Sequence, residues 1–377
     1  MNTRLEKLLS HLARTLDPER DRRIACRHRH ALCYEPLDRL PLICMYPFPP
    51  DSPWQPYPHH EIFDDPEKML FNELVSAWDT SIVHRAGIGD DLPATVRANF
   101  GTVLIASMFG APVEQREDNP PWIVHRPGHD ISLEQIANTD PADFSQGWIP
   151  RAAERMQAYH EAFAHFPELQ ASVRIVLPDL QGPFDNLELI HGSEAFMSLA
   201  VDPALVDAAL HNLATAQIGL IKFFGQWTTE PDAGFSHQHG FPLAGNVLLR
   251  NDSCIMVSPE MYRHQIAPHD ERVLRECGGG GIHSCGTISH LVDEFLALPS
   301  LRTIDFGQSE MNDVDSIYAR AASRKIPLTR VAVRPDDLEA GRVDERFPTG
   351  VSLIYRAESL TDAKATLQNR AMILDMG

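Results

Sequence analysis

From about residue 170 onward, short β-branched segments alternate with longer amphipathic ones, and this rhythm restricts the fold more than any other feature of the chain. SVRIVLP (172–178) leads into a long helical stretch ending near Phe224. NVLLRND (246–252) is followed by a predicted helix over 258–276, GGIHSCG (280–286) by one over 287–297, and LRTIDFG (301–307) by one over 313–323. LTRVAV (328–333) and GVSLIYR (350–356) complete the run, and a helix over 359–372 closes it. Strands that alternate with helices pair in parallel through right-handed crossovers. LPLICMY (40–46) and DTSIVHR (79–85) bring the strand count to eight, so the expected fold is a (β/α)8 TIM barrel, with a helical lead-in over 1–39 and the barrel over 40–377.

Helix boundaries support the same reading. Asp202-Pro203 and Ser258-Pro259 each combine a capping side chain with proline at the first helical position. Val206, Leu210, Leu213, Leu220, Ile221 and Phe224 form one apolar face suited to a barrel wall. In the lead-in, Leu5, Leu8, Leu9 and Leu12 fall at helical spacing until Pro18. Residues 46–66 are too rich in proline for a regular element and are expected to form an ordered irregular loop.

Composition excludes several functions. A formal net charge of −19 argues against non-specific nucleic-acid or anionic-membrane binding. Six cysteines without any C-x-x-C pair indicate neither a disulfide framework nor a zinc ribbon. With no apolar run of about 18 residues and no signal-peptide pattern, the expectation is a cytoplasmic chain. G-x-G-x-x-G and G-x-S-x-G fingerprints are absent.

In a barrel, chemistry gathers after the C-terminal ends of the strands. His283-Ser284-Cys285-Gly286 ends a strand, and residues two apart project to one side, so His283 and Cys285 can offer nitrogen and sulfur to one Zn²⁺. The plainer alternative is a buried cysteine beside a hydrogen-bonded histidine. His239, in SHQHG (236–240), is a second candidate ligand. Asp252 ends another strand and is either site-facing or a turn acid; Glu310 follows a third strand and is either a ligand or a solvated loop acid. Asp179 and Gln181 in PDLQGP (178–183) sit where a substrate would lie, although their Gly-Pro neighbours also fit an ordinary turn.

Taken together, Asp38-Arg39-Leu40-Pro41, PDLQGPFDNLELIHG (178–192), Asp252 ahead of SPEMY (258–262), IHSCG (282–286) and GVSLIYRAESLTDA (350–363) resemble the uroporphyrinogen decarboxylase superfamily in order and spacing, from about residue 25 onward. That resemblance implies a (β/α)8 barrel. One branch of the family decarboxylates a tetrapyrrole without a cofactor and carries an arginine-rich segment after the first strand. Here that stretch, CMYPFPPDSPW (44–54), holds no arginine, which leaves Arg85, Arg97 and Arg174 to contact an acidic substrate. Another branch moves a methyl group between a corrinoid protein and a thiol, using Zn²⁺ on a His-x-Cys pair and a later cysteine. His283 and Cys285 match the pair, but no cysteine follows. Either His239, Glu310 or another residue completes the set, or the metal role is lost.

The resemblance therefore implies a methyltransferase with Asp252 and Cys285 at the catalytic face, a small-molecule substrate bound with help from Arg85, Arg97, Asp179 and Gln181, and a corrinoid protein as partner. The alternatives are a carboxy-lyase using Asp252 as proton donor or pyrrole anchor, and a non-catalytic ligand-binding barrel. Self-association into a homodimer is compatible with such a fold.

Overall fold

A computed structural model describes residues 1–76, 80–115, 119–125, 131–230, 232–238, 240–339 and 341–374. It contains eight parallel strands: β1 (Leu42–Met45), β2 (Ala94–Val96), β3 (Val173–Ile175), β4 (Val247–Arg250), β5 (Gly280–Ser284), β6 (Leu301–Phe306), β7 (Leu328–Ala332) and β8 (Val351–Arg356). They form two arcs. Six strands run in the order β1-β8-β7-β6-β5-β4, while β2 and β3 pair separately. Every ladder in both arcs is parallel, with helices between successive strands. This mostly parallel sheet is compatible with a TIM-barrel-like fold.

The expected closed ring differs in detail: among the described residues no ladder crosses from β1 to β2 or from β3 to β4. Side chains bridge the first seam. The Asp91 carboxylate accepts the Leu42 N–H at 2.9 Å, the Asp91 N–H donates to the Leu42 carbonyl at 2.8 Å, and the Asp90 carboxylate accepts the Cys44 N–H at 3.0 Å. At the other seam the Gly182 N–H donates to the Arg250 carbonyl at 2.8 Å. Pro41 and Pro93 precede β1 and β2 without an N–H to give, and three-residue strands leave little length for a ladder.

The strand expected over 79–85 is corrected by the structure. Asp79 lies outside the described residues, Thr80 and Ser81 are irregular, 82–84 form a turn, and Arg85–Gly87 is a single 3₁₀ turn. Ile82 and Val83 are buried as a strand would bury them, but as part of a turn in which Val83 N–H reaches back to the Leu74 carbonyl. The second strand is ATV, which is too short to show alternation in the sequence.

Period-two alternation separates two apolar layers. Leu42, Cys44, Leu353 and Tyr355 face the large core beneath the helices, while Ile43, Met45 and Ile354 join Leu92 and Phe241 in a smaller inner cluster. Phe241 belongs to the antiparallel hairpin Phe235–Gln238/Phe241–Ala244, which leads directly into β4 and packs beneath the strands as a floor. The helix Pro203–Gly225 is long and apolar enough to cross a membrane by composition, yet 61 % of its most apolar window is buried inside the protein, as befits a core helix. Asp202 caps it by accepting the Leu205 N–H.

The lead-in forms two helices, α1 (Thr3–Thr15) and α2 (Pro18–Leu32). Leu5, Leu8, Leu9 and Leu12 are fully buried in the same apolar cluster as the parallel strands. From α2, Arg27 pairs with Asp91 and Arg20 donates to the carbonyls of Arg85 and Asp90, so α2 fastens the β1–β2 seam.

His28 on α2 is buried beside that seam and bonds through Nε2 to the Asp91 carbonyl at 2.8 Å. Burial lowers its pKa to about 4, against the opposing pull of Asp91. A histidine held below its unfolded pKa contributes stability above about pH 6.5 that is lost as pH falls toward 4, here up to about 3 kcal/mol. His28→Gln, whose amide can still donate to that carbonyl, is expected to flatten this acid-side loss. Urea unfolding at several pH values between 4 and 7 measures it, and equal slopes in both proteins would contradict the assignment.

Candidate metal centre

The site is built on β5 and its tight seat. A Cβ at Gly280 would lie 2.3 Å from the Val247 carbonyl, so glycine at that position lets β5 approach β4 this closely, while one at Gly281 would meet the end of the Leu248 side chain at 2.8 Å. Beyond the glycines, His283 projects to the strand interior and is 1 % exposed. Cys285 follows two residues later and Gly286 turns the chain away at φ 74°. Gly307, after β6, is required beside them: a Cβ there would fall 2.5 Å from the Cys285 sulfur.

Asp252 arrives from the end of β4. Its carboxylate accepts the Cys285 N–H at 2.7 Å, and the Asp185 carboxylate holds Asp252 by accepting the N–H groups of Asp252 and Ser253, each at 2.9 Å. Burial and the nearby Asp252 push the Asp185 pKa up to about 8. The neighbouring strands are tied by Asn251 N–H to the His283 carbonyl and by the Ser284 hydroxyl to the Asn251 carbonyl.

The result is a cluster of three potential ligand atoms, one each from Asp252, His283 and Cys285, all within 4.8 Å of one another. His283 Nε2 is 3.5 Å from the Cys285 sulfur and 3.5 Å from Asp252 Oδ1. On its other side, Nδ1 lies 2.7 Å from the Asp305 carboxylate. Burial and Arg330 lower the His283 pKa, so the neutral ring is favoured. Although burial opposes ionisation of Asp305, Arg330 and His283 hold its carboxyl well below the usual range. A proton on Nδ1 directed at that carboxylate leaves the Nε2 lone pair facing Asp252 and Cys285. Burial and the Asp252 charge push the Cys285 thiol up to about 12. Asp252 Oδ1 already accepts the Cys285 N–H, and a divalent cation would draw the nitrogen, oxygen and sulfur together at one centre. This mixed donor set suits Zn²⁺. The Asp252 side chain is 37 % exposed, so the cluster meets solvent on that side.

The other candidates fall elsewhere. Glu310 is exposed on the 3₁₀ turn Ser309–Met311 and does not join the cluster, because that turn directs it outward while buried Ser309 accepts the Ala332 N–H. His239 lies outside the described residues. Its neighbour His237 bonds to Glu230 at 2.8 Å. Arg85 is corrected from a substrate contact: it precedes β2, is 1 % exposed and pairs with Asp21 of α2, away from the strand ends that carry the cluster. Arg174 donates to the Gln170 and Ala171 carbonyls.

Arg97, Asp179 and Gln181 do come together, in a buried network beside the β3–β4 seam. The Asp179 carboxylate is 3.1 Å from Arg250 Nε and 3.9 Å from Arg97, and it accepts the Gln181 side-chain amide at 2.6 Å. Arg250 is the register partner of His283, so this network abuts the cluster. Asp185, Asp305, Arg330 and Gln308 escaped the sequence reading. Of these, Asp305 offered a signal, as an acid near the end of a predicted strand like Asp252, but its pairing with His283 depends on register between β5 and β6.

No protein-family model matches the chain, and no curated protein matches it. Among solved structures, the chain is similar to a methyltransferase from Methanosarcina mazei, with a TM-score of 0.65 over 93 % of this chain and 98 % of that one, at 15 % identity. At that identity the likeness concerns the fold.

Gly307→Ala is expected to displace the Cys285 sulfur or the turn at Gly286, destabilising the protein by about 1–3 kcal/mol, as overpacked substitutions do. Chemical denaturation measures this; an unchanged midpoint would show that the turn yields without cost.

Proposed function

We propose that this chain is an enzyme of the uroporphyrinogen decarboxylase superfamily, a methyltransferase that holds Zn²⁺ on Asp252, His283 and Cys285 and passes a methyl group from a corrinoid protein to a thiol. The observation that carries the reading is the convergence of three ligand atoms within 4.8 Å of one another, with His283 Nε2 3.5 Å from both the Cys285 sulfur and Asp252 Oδ1. The similar fold of a methyltransferase supports it. In this reading Asp252 takes the place of the later cysteine that the family resemblance calls for. The bound ion supplies a lowered pKa to an acceptor thiol, keeping a nucleophilic thiolate available near neutral pH.

The chain's own residues do the rest. Asp185 fixes the turn that carries Asp252, and Gln308 accepts the Gly286 N–H at 2.5 Å to fix the turn after Cys285. Asp252, as the more exposed ligand, marks the side from which a small-molecule acceptor approaches. Arg97, Asp179 and Gln181, all buried, back His283 through Arg250, whose Nε lies 3.1 Å from the Asp179 carboxylate. The carboxy-lyase alternative needs cations facing an acidic substrate. Arg85 and Arg97 are instead held in buried ion pairs, so the transferase reading is favoured.

Metal analysis of the purified protein is expected to find about one zinc per chain, with His283→Ala and Cys285→Ser each weakening binding at least about tenfold, since loss of a ligand's supporting partner alone costs that much. Methylcobalamin with a small thiol serves as the probe reaction, and transfer should fall in parallel. A wild-type protein that neither binds zinc nor methylates the thiol would overturn the reading.

A further inference from the structure

The strand β7 contains a distortion that bears directly on His283. Register against β8 shifts between Leu328 and Val331, and Arg330 adopts φ 59°, a left-handed conformation that side-chain-bearing residues rarely take. Consecutive residues of a regular strand project to opposite faces. Here Thr329 and Arg330 both reach the same carboxylate: the Thr329 hydroxyl donates to Asp305 Oδ1 at 2.6 Å and Arg330 Nε donates to the same oxygen at 2.9 Å. A second Arg330 nitrogen donates to Oδ2. The guanidinium also rests over the Phe241 ring of the floor hairpin, 5.3 Å from its centre.

We infer that this bulge is a device for choosing the histidine tautomer, with Asp305 and Arg330 as positioning residues that hold the proton on His283 Nδ1 and turn Nε2 toward Asp252 and Cys285. The inference rests on the metal-centre reading. Donor counting carries it. Asp305 accepts at both oxygens from Thr329 and Arg330, so it serves its remaining neighbour as an acceptor too. His283 Nδ1 lies 2.7 Å from Oδ2, where two lone pairs would repel and an N–H bridges them. The close approach of Arg330 to Nδ1, at 2.5 Å, offers the competing arrangement, in which Arg330 donates to Nδ1 and the ring proton moves to Nε2. That arrangement leaves Nδ1 and Oδ2 facing each other without a proton and blocks the lone pair that the cluster needs. A straight β7 would take Arg330 off the carboxylate, so the strained residue persists where its strain orients the ring.

The test reads the tautomer and the metal separately. Imidazole ¹⁵N shifts of metal-free wild-type protein, with the His283 signal assigned by its loss in His283→Gln, are expected to show a protonated Nδ1 and an unprotonated Nε2. In Asp305→Asn, whose amide can donate to Nδ1, the proton is expected to move to Nε2. Zinc affinity, measured by competition with a chromogenic chelator, should then fall about 10- to 100-fold. Arg330→Met should cause a smaller loss that Arg330→Lys partly restores. A wild-type signal with the proton on Nε2 overturns the inference without any variant, as does full zinc affinity in Asp305→Asn. If wild-type protein binds no zinc while its tautomer follows Asp305, the metal reading falls and the positioning role stands. If it binds zinc but carries the proton on Nε2 before loading, the positioning role falls and the metal reading stands.

Discussion

The close seat of β5 between β4 and β6 is the constraint on which the centre depends. Gly280 leaves no room for a Cβ beside the Val247 carbonyl, and this lets the strand lie close against β4. His283 then emerges beside Arg250 on one flank and Asp305 on the other, because the register pairs it with both. A larger residue at Gly280 would push the strand outward and carry the imidazole away from its partners.

Around that strand, charge is organised in shells that do different jobs. Nearest the focus, Asp252, His283 and Cys285 present lone pairs. Behind His283, Asp305 lies 2.7 Å from Nδ1 and is itself held by Thr329 and Arg330. To the side, Asp179 ties Arg97 and Arg250 together where the β3–β4 ladder is missing. Ion pairs in such a dry interior are stabilising only when geometry and further hydrogen bonds are satisfied, and Asp305 meets that condition at both oxygens. At the opposite end, Asp91 receives Arg27, Arg39 and the β1 backbone, performing for the β1–β2 seam what a ladder would otherwise do.

The strand reading succeeded where periodicity was long enough to express itself. Seven of the eight predicted strand segments contain the observed parallel strands, since runs such as LRTIDFG and GVSLIYR are buried on both faces. At 79–85 the apolar pair Ile82-Val83 carried a strand-like signal into a turn, while the three residues Ala94–Val96 carried almost none. The juxtaposition of His283 and Cys285 was legible because two-residue spacing is a property of the strand itself. Glu310 shared the same kind of position after a strand as Asp252, and only the direction of a 3₁₀ turn separates them.

The chain's local chemistry thus determined the alternating architecture, the capped helices, and the pairing of His283 with Cys285 on one side of a strand, for these follow from backbone periods of 3.6 and 2. The tertiary structure decided which acid joins them, which residue fixes the imidazole, and how the seams are bridged. Asp252, Asp305 and Arg330 lie 31, 22 and 47 positions from His283, and distances of that kind are set by strand register and its irregularities in β6 and β7, neither of which any local pattern encodes.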